Sequence, residues 1–304
     1  MSESAAESFN SRPDGSEEPL EGISPADLQA LTRTPEIDGP YTLGPESTAQ
    51  ENVPRGQVSQ HHWVGGEIYP GVERDYWVYV PQQYDGSQLA CLMVFQDGAM
   101  YLGPDTNIPI AFDNLIHQGD MPLTIGLFVN PGDRGPGMPR WGGADNRSVE
   151  YDSLDDRYAR FLLEELLPPL EQQYNLVSDP AGRAICGISS GGICAFTVAW
   201  QRPDAFGKVV SHCGSFTSVR GGNQYPSMIR KSVAKPLRVF LQTGTKDLDV
   251  VFGNWVIANQ DMAAALAYKD YDYQFVLGEG GHSLVHGGAI FPDTMRWLWR
   301  DYPR

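Results

Sequence analysis

The chain has 304 residues, 41% hydrophobic and 11% aromatic, enough to bury one large core and unlike a disordered chain. Its 38 acidic residues against 22 basic ones give a formal charge of −16. That balance excludes nucleic acid and an anionic membrane as expected partners, because both select basic faces.

Residues 1–37 are rich in Ser, Glu, Asp and Pro, and are expected to form a flexible acidic tail with one short helix over 24–31. This N-terminus lacks the basic and apolar regions of a secretory leader, so a cytoplasmic location is expected, or a secreted one if a leader was removed. Residues 38–55 form an irregular lead-in, and the catalytic domain is expected over 56–304. Residues 57–63 and 74–80 read as antiparallel edge strands, the second stopped by Pro81. His61 and His62 fall on the first and read as surface residues. The unbroken apolar run Leu89 to Phe95 predicts a strand covered on both faces and ends in the loop Gln96-Asp97-Gly98-Ala99-Met100. A helix over 108–117 and a strand over 123–129 follow, then a long Gly/Pro/Arg loop, 130–146, carrying Trp141. Apolar residues at 154, 158, 161, 162 and 166 mark an amphipathic helix that Pro168 and Pro169 must distort. Beyond it, strands over 184–188, 207–213, 237–243 and 273–277 alternate with helices over 259–268 and 294–299. This alternation predicts an α/β fold, a mainly parallel sheet with helices on both faces. Cys91, Cys186, Cys194 and Cys213 lie in apolar surroundings and are expected as buried thiols; with no Cys-x-x-Cys or His/Cys cluster, no metal is expected.

The chemistry centres on Gly187-Ile188-Ser189-Ser190-Gly191. A strand, a sharp turn and a helix place a serine hydroxyl clear of the sheet edge, with a helix N-terminus behind it to stabilise developing negative charge. Such a serine needs a base, and the base needs a carboxylate. In the α/β-hydrolase arrangement these follow in the order Ser, acid, His, each on a loop after a strand. Strand 237–243 runs into Asp247 and Asp249, and strand 273–277 into Gly278-Glu279-Gly280-Gly281-His282. Asp247, just past the strand end, is preferred over Asp249 as the acid, and His282 over His286 as the base. His212 reads as a core histidine. The oxyanion hole is expected from the backbone N–H groups of Ser190 and Ala99. Trp141, Glu150 and Trp255 are candidates for substrate contact.

The Gln96-Asp97-Gly98 loop, Asn146-Arg-Ser-Val-Glu-Tyr151, Glu164-Glu-Leu-Leu-Pro168, Cys186-Gly-Ile-Ser-Ser-Gly-Gly192 and Gly281-His282 together resemble the enterochelin esterase-like group. That group is part of the esterase D superfamily, alongside the feruloyl and acetyl xylan esterases of carbohydrate esterase family 1. The resemblance spans roughly residues 56–304. It implies an α/β-hydrolase fold, Ser189 as nucleophile, Asp247 as acid and His282 as base, and ester hydrolysis through an acyl-enzyme with no cofactor. The expected substrate is a small-molecule or glycan ester carrying a feruloyl, acetyl or related acyl group, and a homodimer is compatible with the sequence. An acyltransferase or thioesterase would use the same triad, and a non-catalytic binding protein on this fold is the remaining alternative.

Overall fold

Eight strands join into one sheet, because each central strand is an apolar run that buries both of its faces. The computed structural model describes residues 39–133 and 146–303; the expected acidic tail, its short helix and Trp141 lie outside the described residues. Strands β1 (Gln57–Val64) and β2 (Glu73–Val80) form an antiparallel pair. Then come β3 (Cys91–Gln96), β4 (Thr124–Val129), β5 (Arg183–Ile188), β6 (Lys208–His212) and β7 (Arg238–Gly244). A two-residue pair, β8 (Asp249–Val250) and β9 (Gly253–Asn254), stands apart, and β10 (Asp272–Gly278) completes the sheet. The order is β1-β2-β4-β3-β5-β6-β7-β10. From β4 to β10 every pairing is parallel, while β2 meets β4 antiparallel. The fold is therefore the expected α/β hydrolase type, a mainly parallel sheet flanked by helices.

One core lies where Leu162, Phe196 and Leu266 pack on one side of the sheet, and a second where Phe112, Met295 and Leu298 pack on the other. The Ser190–Gln201 helix contributes almost no polar surface; every residue but Gln201 is buried. That burial explains its run of Gly, Ala, Ile, Val and Phe, since a helix enclosed on all sides carries apolar residues around its circumference.

Pro168 and Pro169 distort their helix without ending it. Arg157–Arg160 opens as an α-helix, Phe161–Leu166 widens into a π turn, and Leu167–Gln173 resumes α geometry with the prolines in its first turn. A proline ring would strike the carbonyl one turn back and offers no N–H to it; widening that turn relieves the clash.

The lead-in is irregular apart from the short 3-10 turn Pro45–Ser47, yet it is tied down. Asn107 donates to the Ser47 carbonyl at 2.8 Å, Asn114 to those of Glu46 and Thr48, and Arg296 to the Glu46 carboxylate at 2.9 Å. Tyr41 stacks on His286 with ring centroids 3.9 Å apart, and its hydroxyl accepts from Glu279 N–H at 2.8 Å. The segment thereby braces the loop that carries His282.

Candidate active site

In a parallel sheet, loops that follow the strands emerge at one edge, where open α/β sheets bind ligands. Asp97 follows β3, Ser189 follows β5, Ser215 follows β6, Asp247 follows β7 and His282 follows β10. The topology alone thus brings five polar groups from distant parts of the chain to the same edge.

Ser189 sits at the apex of the turn with φ +59° and ψ −124°, a conformation that L-residues rarely hold. Backbone bonds hold it there. Its N–H donates to the His212 carbonyl at 2.9 Å, and its own carbonyl accepts from Gly192, Ile193 and Ser215. Glycine is required beside it, because a Cβ on Gly187 would collide with the Gly191 backbone.

His282 Nδ1 lies 2.6 Å from Asp247 Oδ1. Asp247 is further held by the Thr243 hydroxyl, 2.5 Å from Oδ2, and by Leu248 N–H, 2.7 Å from Oδ1. Burial works to raise its pKa, but the bond to His282, the imidazole's charge and these two donors outweigh burial and leave it below the ordinary carboxylate value. Its ionised form is thus favoured across the neutral range. His282 Nε2 is buried without a partner among the described residues. With Nδ1–H donating to Asp247, Nε2 carries the lone pair a general base needs.

The rival residues lie elsewhere. Asp249 is exposed on β8, and His286 is sandwiched between Tyr41 and Gln242, whose Nε2 is 3.1 Å from its Nδ1. His212 is fully buried against the Tyr101 hydroxyl at 3.0 Å, and burial, helped by His286, depresses its pKa to about 3, so it is a neutral core residue. His62 lies on the exposed face of β1, paired with Asp75 and Glu73. All four cysteines are free and buried. Cys213, Asp247 and His282 place potential metal-ligand atoms within 4.8 Å of one another, but two of those groups are already paired with each other.

Two expected roles need correction. Ala99 N–H is engaged, donating to Asn130 Oδ1 at 3.0 Å, so it is not a free oxyanion donor. The preceding Gly98 begins the short helix Gly98–Tyr101, whose first N–H groups have no acceptor within the helix. Gly98 also rests against the Phe128 backbone so closely that a Cβ would not fit. Glu150 is not a pocket wall residue. Its carboxylate receives two bonds from Arg74, at 2.7 and 2.8 Å, with further bonds from Asn146 and Gly132 N–H, and both charged side chains are 0% exposed. Arg74 lies over the Phe161 ring at 4.1 Å, and its ion pair keeps it charged against the cost of burial. A substrate contact was expected of Glu150; the short helix Asn146–Tyr151 instead turns it inward. Glu150→Ala, which strands the Arg74 charge, is expected to cost about 3–5 kcal/mol in urea denaturation, whereas Arg74→Met with Glu150→Leu is expected to cost far less.

Trp255, 3% exposed, packs beside His282; its ring is perpendicular to the imidazole, with centroids 6.0 Å apart. Its Nε1–H donates to Ser215 Oγ at 3.2 Å, and Ser215 Oγ is 3.3 Å from Ser189 Oγ. Ser190 opens the helix behind Ser189, so its N–H has no acceptor within the helix. Three site residues were not singled out from sequence: Ser215, Thr243 and Arg147, which clamps Asp97 through two bonds at 2.8 and 2.7 Å. Ser215 could have been found by the rule that located Ser189, since it too follows a central strand.

Among the described residues no helix is long and apolar enough to cross a membrane. Residues 69–286 match the family described as "Putative esterase". The iron(III) enterobactin esterase of Dickeya dadantii is 25% identical over 251 residues, covering 74% of this chain and 52% of that protein. The chain therefore spans about half the length of this relative. Among solved structures, the enterobactin esterase of Shigella flexneri superposes with a TM-score of 0.64 at 19% identity, over 85% of this chain and 63% of that one. A CE1 ferulic acid esterase from Anaeromyces mucronatus superposes with a TM-score of 0.67 at 17% identity, over 85% and 96%. At these identities the two structures speak for the fold, and the family match covers most of the domain. This chain belongs to that esterase family.

Proposed function

We propose that the protein is a serine carboxylic-ester hydrolase working through an acyl-enzyme, with Ser189 as nucleophile, His282 as base and Asp247 as acid. The observation that carries this reading is the His282 imidazole: one ring nitrogen is fixed on a buried carboxylate at 2.6 Å, the other has no partner among the described residues, and its loop emerges at the same sheet edge as a serine held at φ +59°. In the first half-reaction Ser189 Oγ attacks the ester carbonyl and its proton passes to His282 Nε2. Asp247 stabilises the imidazolium that results. The carbonyl oxygen, now negative, is received by backbone donors at the helix N-terminus, Ser190 N–H and, in place of Ala99, Gly98 N–H. His282 then protonates the departing alcohol. Water, activated by the same imidazole, repeats the sequence and releases the acid.

The substrate class within this reading is a small acyl ester, feruloyl or acetyl, of a carbohydrate or related alcohol. Its support is the likeness to a ferulic acid esterase that matches this chain over nearly the whole of its own length. The test is hydrolysis of p-nitrophenyl acetate, p-nitrophenyl butyrate and methyl ferulate, with diethyl p-nitrophenyl phosphate as a trap. Turnover of at least one ester is expected, together with a single phosphoryl adduct on the peptide containing Ser189. Turnover with the adduct elsewhere would remove Ser189 from the mechanism, and no turnover of any ester would remove the hydrolase reading.

A further inference from the structure

A second serine lies within hydrogen-bonding distance of the proposed nucleophile. Ser215 is 1% exposed, and its Oγ stands between two partners, Trp255 Nε1 at 3.2 Å and Ser189 Oγ at 3.3 Å. An indole N–H only donates, so Ser215 Oγ is the acceptor in the first contact. Its single proton is then free for the second. We infer that Ser215 is a positioning residue for the esterase reaction: it donates to Ser189 Oγ and, oriented by Trp255, leaves the Ser189 proton directed to His282 Nε2. The inference rests on the proposed roles of Ser189 and His282.

Proton accounting supports this direction. Ser189 has one proton. If it were given to Ser215, His282 Nε2 would stay a buried acceptor with no donor, as it is with respect to the other described residues. If Ser215 donates instead, both serine hydroxyls keep their contact and the Ser189 proton stays available for transfer to His282 Nε2. No proton leaves Ser215 at any step. Its bond strengthens while Ser189 Oγ gains negative charge on losing its proton, and it supports the same oxygen when the acyl group departs.

The framework around Ser215 is rigid enough for the role. Ser215 N–H donates to the Ser189 carbonyl at 3.0 Å, so the two serines are tied through the backbone as well. Asn259, fully buried on the Trp255–Tyr268 helix, donates to the Gly214 and Trp255 carbonyls, both at 2.9 Å, and so fixes the turn to the helix that carries the indole. The same Trp255 ring packs against His282. One aromatic side chain therefore sets the base by contact and the nucleophile by relay.

The experiment is stopped-flow release of p-nitrophenol from p-nitrophenyl butyrate by wild type, Ser215→Ala, Ser215→Thr and Trp255→Phe, with Ser189→Ala as reference and thermal midpoints measured alongside. Ser215→Ala is expected to slow acylation about 10- to 30-fold with KM within about two-fold, the loss of one hydrogen bond that matters at the transition state. Ser215→Thr, which restores a hydroxyl, is expected to recover acylation to within about three-fold of wild type. Trp255→Phe keeps a ring against His282 but lacks the N–H, and is expected to fall between the two. Acylation at the wild-type rate in Ser215→Ala, or in Trp255→Phe should the threonine variant fail to fold, would overturn the inference. So would a loss in Ser215→Ala that a folded Ser215→Thr does not rescue. Acyl transfer persisting in Ser189→Ala would instead overturn the proposed function; its disappearance there with normal Ser215→Ala removes only the relay.

Discussion

Ser189→Ala is expected to lower kcat by about 10⁵- to 10⁶-fold, leaving a residue of catalysis from substrate binding and the oxyanion donors alone. The fold is expected to tolerate it. Among the described residues the hydroxyl bonds to Ser215, and that serine retains its bond from Trp255. Nor does the change relieve or add backbone strain, since alanine meets the same restriction as serine at φ +59°. Matched far-ultraviolet spectra and thermal midpoints, followed by active-site titration, make the comparison. A variant that keeps more than about a hundredth of wild-type kcat would show that Ser189 is not the nucleophile.

Asp247→Asn is expected to lower kcat by about 10³-fold, somewhat less than the ~10⁴-fold that follows when asparagine imposes the wrong histidine tautomer. The local bonds explain the difference. Oδ1 of Asp247 accepts from both His282 and Leu248 N–H, while Oδ2 accepts from the Thr243 hydroxyl. The Leu248 donor keeps an oxygen at the Oδ1 position, and the Thr243 hydroxyl can rotate to accept from the new amide. His282 then keeps its tautomer, and what is lost is the charge that stabilises the imidazolium. Nitrogen-15 shifts of the imidazole check the tautomer directly; a protonated Nε2 in the variant would rule this account out. The pH dependence of stability follows with a definite sign. The Asp247 pKa is lower folded than unfolded, so its contribution is present above about pH 4 and is lost as pH falls through the folded value. The asparagine variant is expected to lack that share of the acid dependence in denaturation below about pH 4.

Why some of the site can be read from the chain and some cannot is visible at individual residues. Ser189 and Asp247 follow buried strands and His282 follows the partly buried edge strand β10, and glycines mark the loops on which two of them turn. Strand periodicity and loop placement are local properties, and a parallel sheet converts them into a shared edge. Glu150 misled because a carboxylate beside a long loop is placed to border a pocket; only Arg74, a partner 76 positions earlier, makes its burial tolerable. Ala99 misled for a similar reason, its donor being taken by a side chain on the loop after β4.

The amino-acid sequence by itself determined the strand–helix alternation, the apex serine and the placement of the proposed acid and base on loops after strands, because these depend on apolar periodicity, glycine placement and short spacings. Only the tertiary structure decided which donors remain free and which side chains meet. The Ser215–Trp255 contact beside Ser189, the Arg147 clamp on Asp97, the Arg74–Glu150 pair in the core and the stacking of Tyr41 on His286 all join residues 40 or more positions apart. Pairings at that range carry no periodic or spacing signal. They are set by how the strands are ordered in the sheet and by the requirement that every buried polar group find a partner.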